Sequence, residues 1–316
     1  MTKKVVVLGG GTGLSALLRG LKDYPLDITA VVSVCDDGKS TGILRKEFGT
    51  PAVGDIRRVL VALSETEPLV AELFNYRFKT TSDLNGHTVG NLLLTAMTNI
   101  TGNMSQGIAA LSKVLNLKGK VLPVTEDNVI LVGKMEDGEY VEGEHHITED
   151  TRKIVEVSYK TTPKTNKKVL RAIRDADMII LSMGSIYTSI IPNLLCNEVI
   201  KEIDKSTAPI MYVCNMMTQP GETDGFKVSD HIKLLNSYLG KRKVETVIAN
   251  TGEISLELAE KYETLEQKDP VFYDEEEVKK LKVESIVDDL VYIDNELIRH
   301  DLIKLAYYIY SKLIRG

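Results

Sequence analysis

The chain of 316 residues lacks several features, and each absence narrows its function. No apolar run approaches the roughly 18 residues that a membrane helix needs, so no membrane insertion is expected. There is no basic excess: 39 Lys and Arg stand against 45 Asp and Glu, a net charge of −6. A nucleic-acid surface would show a basic stripe, and none is visible, so no nucleic-acid partner is expected. Cysteine is scarce. Cys35, Cys196 and Cys214 are odd in number, far apart and without C-x-x-C spacing. No secretory leader pattern precedes Val5. The expectation is a cytoplasmic protein with reduced thiols. Cys35, placed at a strand end, reads as a small core residue rather than a nucleophile.

What is present is a large apolar share, 43% of residues, ample for a sizeable core. The length admits one large α/β domain or two lobes. The acid excess is local: residues 253–289 hold 13 Asp and Glu against 5 Lys, so the rest of the chain is about +2. This segment reads as a solvated acidic excursion.

The most informative stretch runs from Val31 to Arg58. It begins apolar and β-branched, then turns abruptly into Asp36, Asp37, Gly38, Lys39, Ser40, Thr41 and Gly42. The switch marks the carboxyl end of a buried strand, where open α/β sheets bind ligands. Unpaired buried carboxylates are costly, so Asp36 and Asp37 are not expected in the core. Asp55 and Arg58 then open an apolar helical run. The stretch reads as a site for a phosphorylated ligand, with Mg²⁺ as the candidate ion and Asp36 and Asp37 as its carboxylates. No other cofactor is indicated. The same residue types also collect in plain surface loops. Gly38-Lys39-Ser40-Thr41 imitates the tail of a P-loop, but Ser33 stands where that motif needs its first glycine.

Taken in order, residues 4–8 form a first strand and Gly9, Gly10, Gly11, Thr12 and Gly13 a tight turn. A helix follows, then a second strand over 28–34. Gly11-x-Gly13-x-x-Ala16 fits a dinucleotide fingerprint, with Asp36 at ribose-contact spacing. Its glycines let backbone amides approach a phosphate at a helix N-terminus. Helices are expected over 55–64, 68–77, 89–100 and 105–115. His87 and Asn91 flank a helix start and make a second candidate ligand surface, His87 as a general base or phosphate donor. A capping or packing role fits them equally.

From 120 to 162 the pattern changes to short alternating runs, an antiparallel β insert in which His145 and His146 read as surface. The α/β alternation resumes at 163. Strands over 178–183, 209–214 and 244–249 end in polar loops at Gly184-Ser185, Asn215 and Asn250. A helix is expected over 191–203, and another closes the chain over 302–313. A last short strand spans 291–293. Tyr262, in the acidic excursion, is either satellite packing or a platform for a base. Arg299 is either a phosphate partner or a surface pair with Asp301.

Six separated motifs agree on one resemblance: GGGTGLS at 9–15, VSVCDDGKSTG at 32–42, GDIRR at 54–58, HTVGNLL at 87–93, MGSIYTSIIPNLL at 183–195 and CNMMTQPGETDGF at 214–226. Together they resemble the family of 2-phospho-lactate transferases and bacterial gluconeogenesis factors (the CofD/YvcK family), over nearly the whole chain. GGGTGLS and DDGxSTG look like the gluconeogenesis-factor branch; the transferase branch opens with a GGxGGAK-like loop, absent here. The resemblance implies one α/β domain, a Rossmann-like three-layer sandwich with a mainly parallel central sheet. Residues 1–119 would be its nucleotide-binding part, 120–162 the insert and 163–316 a second α/β part. Phosphate and metal roles fall on Gly10 to Gly13, Asp36, Asp37, Ser40, Thr41, Asp55 and Arg58, and the loops at Gly184, Ser185 and Asn215 face the same cleft. A homodimer is compatible with this reading.

Three functions follow. In the first, the chain is a nucleotide-sugar-binding regulator; the resemblance implies a UDP-sugar and a role in cell shape and growth on gluconeogenic carbon sources. In the second, it moves a phospholactyl-type group from a nucleotide-diphosphate donor. In the third, it binds NAD(P), on the strength of the glycine turn alone. The sequence does not separate binding from turnover.

Overall fold

The computed structural model describes residues 2–315. The first half runs β1 (Lys3–Gly9), α1 (Gly11–Leu21), β2 (Leu26–Val32), α2 (Lys39–Phe48), α3 (Gly54–Leu63), α4 (Pro68–Asn75), α5 (Val89–Thr101), α6 (Met104–Val114) and β3 (Lys120–Pro123). An insert follows: β4 (Leu131–Met135), β5 (Tyr140–Glu142), α7 (Glu144–Glu149) and β6 (Ile154–Tyr159). The second half holds α8 (Lys167–Arg174), β7 (Met178–Leu181), α9 (Ile191–Leu194), α10 (Asn197–Lys205), β8 (Ile210–Val213), α11 (Val228–Tyr238) and β9 (Thr246–Asn250). It ends with α12 (Leu256–Glu266), α13 (Glu275–Lys280), β10 (Glu284–Asp288), β11 (Val291–Asp294), β12 (Leu297–His300) and α14 (Leu302–Arg315).

Seven strands form one sheet in the order β10-β9-β8-β7-β1-β2-β3, and every pairing in it is parallel. Successive strand residues face opposite sides, yet Val5, Val6, Val7 and Leu8 are all buried. Both faces are therefore covered by helices, as an unbroken apolar run of this kind requires. On one flank α1 packs against α3 and α14; elsewhere α8 packs on α10. From β1 the chain moves outward through β2 and β3. It then returns to β7 on the other side of β1 and proceeds outward through β8, β9 and β10. The order reverses between β1 and β7, and this is where an open α/β sheet forms its ligand crevice. No helix among the described residues is long and apolar enough to cross a membrane.

Five expectations need correction. Residues 120–123 belong to the central sheet, paired with β2, so the antiparallel insert starts later and consists of β5-β4-β6 with one helix. The acidic segment contains a sheet strand, β10, whose Glu284 and Asp288 suit an exposed edge. The strand at 291–293 pairs with β12 as a separate hairpin. The helix expected over 191–203 is broken: a π-turn over Ile186–Ile190 leads into α9, and Cys196 separates it from α10. His145 and His146 lie on α7, half-buried and exposed, not on a strand. All three cysteines are free and buried.

Candidate functional site

The crevice between β1 and β7 is floored by the glycine turn. Gly10 precedes α1, and Gly11 takes a left-handed φ of +59°. Close approach dictates the glycines here: a Cβ on Gly13 would lie 2.1 Å from the Met183 carbonyl oxygen, and one on Gly10 would lie 2.8 Å from Asp55 Oδ2. The first turn of α1 carries no acidic residue. The Gly11 N–H is taken by Asp55, and the remaining N–H groups of the turn and its dipole favour an anion. The turn divides the remaining candidates into two groups.

On one side lies a cavity of about 910 Å³, lined by Thr12, Gly13, Gly184, Asn215, Tyr262 and Arg299, among others. Asn215 is a fastener: its side chain accepts from Gly184 N and donates to Gly184 O, both at 2.8 Å, holding the ends of β7 and β8 in register. Tyr262 Oη accepts from Ile298 N at 2.9 Å, which ties α12 to the β11–β12 hairpin. Its ring joins Met216, Leu258 and Ile298 in a small cluster apart from the main core. Arg299 is exposed and forms no ion pair among the described residues. Asp301, its expected surface partner, instead caps α14 by accepting from Ile303 N and Lys304 N at 3.0 Å. His300 also lines the cavity; its Nε2 is 3.0 Å from the Cys214 carbonyl oxygen, and burial pulls its pKa down to about 4, so the ring is neutral.

Ser185 is committed to the scaffold. Its hydroxyl donates to Glu222 at 2.7–2.8 Å and accepts from Thr188 N at 3.0 Å, capping the π-turn. Burial pushes Glu222 up to about 7, against the Ser185 hydroxyl and the Tyr187 and Ile186 amides. Nothing local in the sequence marks Glu222 as the partner of Ser185.

On the other side of the turn lie Asp36, Ser40, Thr41, Asp55, Arg58, His87 and Asn91. Residues 39–48 form α2. Asp36 braces the start of that helix, accepting from Gly38 N and Thr41 Oγ1, each at 2.9 Å. A Cβ on Gly54 would lie 2.2 Å from Asp36 Oδ2, so α3 can begin against this carboxylate only with glycine there. Asp55 accepts from Arg58 Nη1 at 2.7 Å. Ser40 Oγ sits 3.0 Å from His87 Nδ1 and accepts from Asn91 Nδ2 at 3.1 Å, joining the starts of α2 and α5. Asn91 Oδ1 is buried without a partner.

Asp36 and Asp37 part company. Asp37 turns to the insert, where its Oδ1 accepts from His145 N at 2.8 Å and caps α7. The adjacent carboxylates therefore do not fit one bridged Mg²⁺, and among the described residues no three His, Cys, Asp or Glu side chains converge as a ligand set. Glu144, brought in by the insert and unmarked in the sequence, lies near enough to Asp36 and Asp55 to feel their charges. Burial first, then the charges of Asp36, Asp55 and Asp37, push Glu144 up to about 8, against a hydrogen bond from Thr188. Burial and Asp36 push Asp55 up to about 6, partly offset by Arg58, the Gly11 amide and Arg57. Burial also raises the Cys35 thiol, which stays protonated and is no nucleophile. Asp36 does not line the large cavity, and its carboxylate is engaged by Gly38 N and Thr41 Oγ1, which speaks against the ribose contact of the dinucleotide reading.

Fold and crevice together define a Rossmann-like α/β protein with a divided polar site at the point where its strand order reverses. The chain belongs to the family described as 2-phospho-L-lactate transferase CofD, whose model matches residues 5–291. It is 48% identical over 305 residues to the gluconeogenesis factor of Bacillus subtilis, covering 96% of each chain. It is also 48% identical to a putative gluconeogenesis factor of Thermotoga maritima, covering 96% of this chain and 97% of that one. Among solved structures, protein BH3568 from Bacillus halodurans superposes with a TM-score of 0.95 at 47% identity, over 98% of this chain and all of that one.

Proposed function

We propose that this protein is a gluconeogenesis factor in the sense of its relatives, a regulator that binds a nucleotide sugar, with a UDP-sugar as the ligand. One observation carries the reading: the glycine turn lies between a large cavity and a separate polar cluster. A diphosphate at the turn would leave a nucleoside on one side and a sugar on the other. Arg299, free and on the cavity wall, is the bidentate partner for a phosphate. Asn215, on the cavity wall, and Ser185 shape the site through their scaffold hydrogen bonds. A role in cell shape and growth on gluconeogenic carbon sources follows from that reading.

A second reading has its own support. Asp55 near 6 and Glu144 near 8 straddle neutral pH, which suits proton transfer during a group transfer from a nucleotide-diphosphate donor. Native mass spectrometry of the freshly purified protein, followed by incubation with UDP-sugars, separates the two. A retained or added UDP-sugar that is bound and returned unchanged supports the regulator; a new product mass supports the transferase. Absence of any bound UDP-sugar at millimolar concentration rejects this ligand.

A further inference from the structure

We propose that a cleft between α6 and α8 binds a small organic anion with an aliphatic body, a medium-chain carboxylate. The inference is independent of the nucleotide-sugar reading, and the cleft shares no lining residue with the glycine-turn cavity. Its floor is the face of β1, β2 and β3 that carries Lys4, Val6, Asp27, Thr29, Lys120 and Leu122. The register sets Lys4 beside Asp27, Val6 beside Thr29 and Thr29 beside Lys120. One wall is Ser105, Ala109 and Ser112 of α6; the other is Lys168, Arg171, Ala172 and Asp175 of α8. Side chains at these spacings share one helix face. The cavity measures about 550 Å³, within the usual range of a small-molecule site.

The sheet face is left uncovered here. A parallel sheet normally buries both faces under helices, yet Leu122 is only half-buried and Ala109 on the wall above is exposed. Thr29 adds a second observation. It is 6% exposed, it lines the cleft, and its hydroxyl makes no hydrogen bond among the described residues. The other hydroxyls of the cleft are committed. Ser112 donates to the Ile108 carbonyl at 2.7 Å, and Ser105 accepts from Asn166 Nδ2 at 3.1 Å. A buried hydroxyl left without a partner calls for one.

Size and charge select the occupant. The bond between Ser105 and Asn166 ties the starts of α6 and α8 together and closes one end of the cleft. The helical steps from Ser105 to Ser112 give a trough about 10 Å long, the length of an extended chain of about eight carbons. A dead-ended trough of that size does not admit a helix, itself about 10–12 Å across. Four cations, Lys4, Lys120, Lys168 and Arg171, stand against two carboxylates, Asp27 and Asp175. Asp27 is held by Lys120 at 3.0 Å, whereas Asp175 lies 4.0 Å from Lys4 and 3.9 Å from Arg171. Lys168 is exposed and forms no ion pair among the described residues. The cationic surplus favours an anionic head, to which the Thr29 hydroxyl donates. The aliphatic body then lies along Val6 and Leu122, beneath Ala109 and Ala172. A sugar phosphate would set its hydroxyls against these apolar walls without partners.

Calorimetry on the full chain with octanoate, octanol and acetate as probes tests this. Octanoate should bind saturably at millimolar concentration or below. Octanol keeps the chain and acetate keeps the charge; each should bind about tenfold more weakly or worse. Ala109→Leu, at an exposed helix position, fills the trough and should abolish the octanoate heat. Thr29→Val removes the hydroxyl and keeps the shape, and should weaken octanoate about tenfold. Lys168→Gln should weaken it about threefold, as loss of an exposed charge does. Arg299→Ala, in the other cavity, should leave octanoate binding unchanged. Should a variant misfold, hydrogen exchange on the wild type decides: amides in 105–112 and 168–175 should exchange more slowly when octanoate is added. The proposal is overturned by absence of saturable octanoate heat at millimolar concentration, or by octanol binding as tightly as octanoate. It is equally overturned by octanoate binding that survives both Ala109→Leu and Thr29→Val, by binding lost with Arg299→Ala, or by unchanged exchange in α6 and α8.

Discussion

At the scale of single residues, three side chains of the site have separable roles. Arg299 is exposed and unpaired, so Arg299→Ala should leave the melting temperature unchanged. Affinity for a UDP-sugar should fall by about 1.5–3 kcal/mol, the usual worth of a hydrogen bond to a charged group. Calorimetry and a thermal melt on the same preparation check both halves. Asp37 caps α7 from a distance, so Asp37→Ala should cost about 1 kcal/mol of stability and leave nucleotide affinity alone. Equal affinity loss in Asp36→Ala and Asp37→Ala would return the pair to a joint ligand role. Glu144 titrates abnormally. Its folded pKa, about 8, lies above its ordinary 4.5, so the folded state holds the extra proton between those values. The stability it contributes is complete below 4.5 and is lost as pH rises through about 8. Glu144→Gln should therefore match the wild type below about pH 4.5, surpass it progressively between about pH 4.5 and 8, and keep a constant advantage above that in denaturant melts. Parallel curves for the two proteins would place the Glu144 proton elsewhere.

At the scale of elements, the insert is more than an appendage, because it delivers Glu144 and takes Asp37 as its cap. Arg45, on α2, is the bolt between them. Its guanidinium donates to Asn128 Oδ1 at 2.6 and 3.0 Å, to Val129 O at 2.5 Å and to the carbonyls of Cys35 and Asp36 at 3.1 Å. Arg45→Ala leaves several buried acceptors without donors and should cost about 3 kcal/mol or more. Hydrogen exchange should quicken in β4, β5 and β6 ahead of the central sheet; uniform destabilisation would contradict this coupling. The elements also show what sequence can reveal. The parallel sheet was legible because buried strands are continuous apolar runs that stop at glycine, serine or asparagine, as at Gly9, Gly184 and Asn215. The start of α2 was not, because Gly38 to Gly42 has the composition of a turn; Gly42 is there because a Cβ would lie 2.4 Å from the Asp37 carbonyl. Nor was β10, a charged edge strand inside an acidic segment. Glu144 and Glu222 reach the site from segments remote in sequence, and no local pattern records which distant loop returns to a given helix end. His87, Ser40 and Asn91 were visible as candidates one by one; their mutual hydrogen bonds depend on the packing of α2 against α5.

At the scale of the whole molecule, the topology explains the division of the site. The sheet grows outward in two directions from β1, and the glycine turn after β1 sits at the reversal, with the large cavity toward β7 and β8 and the acid-rich cluster toward α2 and α3. A ligand with a diphosphate centre and two dissimilar ends suits that arrangement. The first turn of α1 itself carries no acidic residue. The most direct measurement is isothermal titration of the purified wild type with UDP-N-acetylglucosamine and UDP-glucose, repeated with UDP alone and with Gly13→Ala. Saturable binding to at least one UDP-sugar is expected, with UDP retaining part of the affinity and Gly13→Ala losing it, since its methyl would collide with the Met183 carbonyl and distort the turn. No heat from either sugar at millimolar concentration, or undiminished binding by Gly13→Ala, would contradict a nucleotide-sugar site built on the glycine turn.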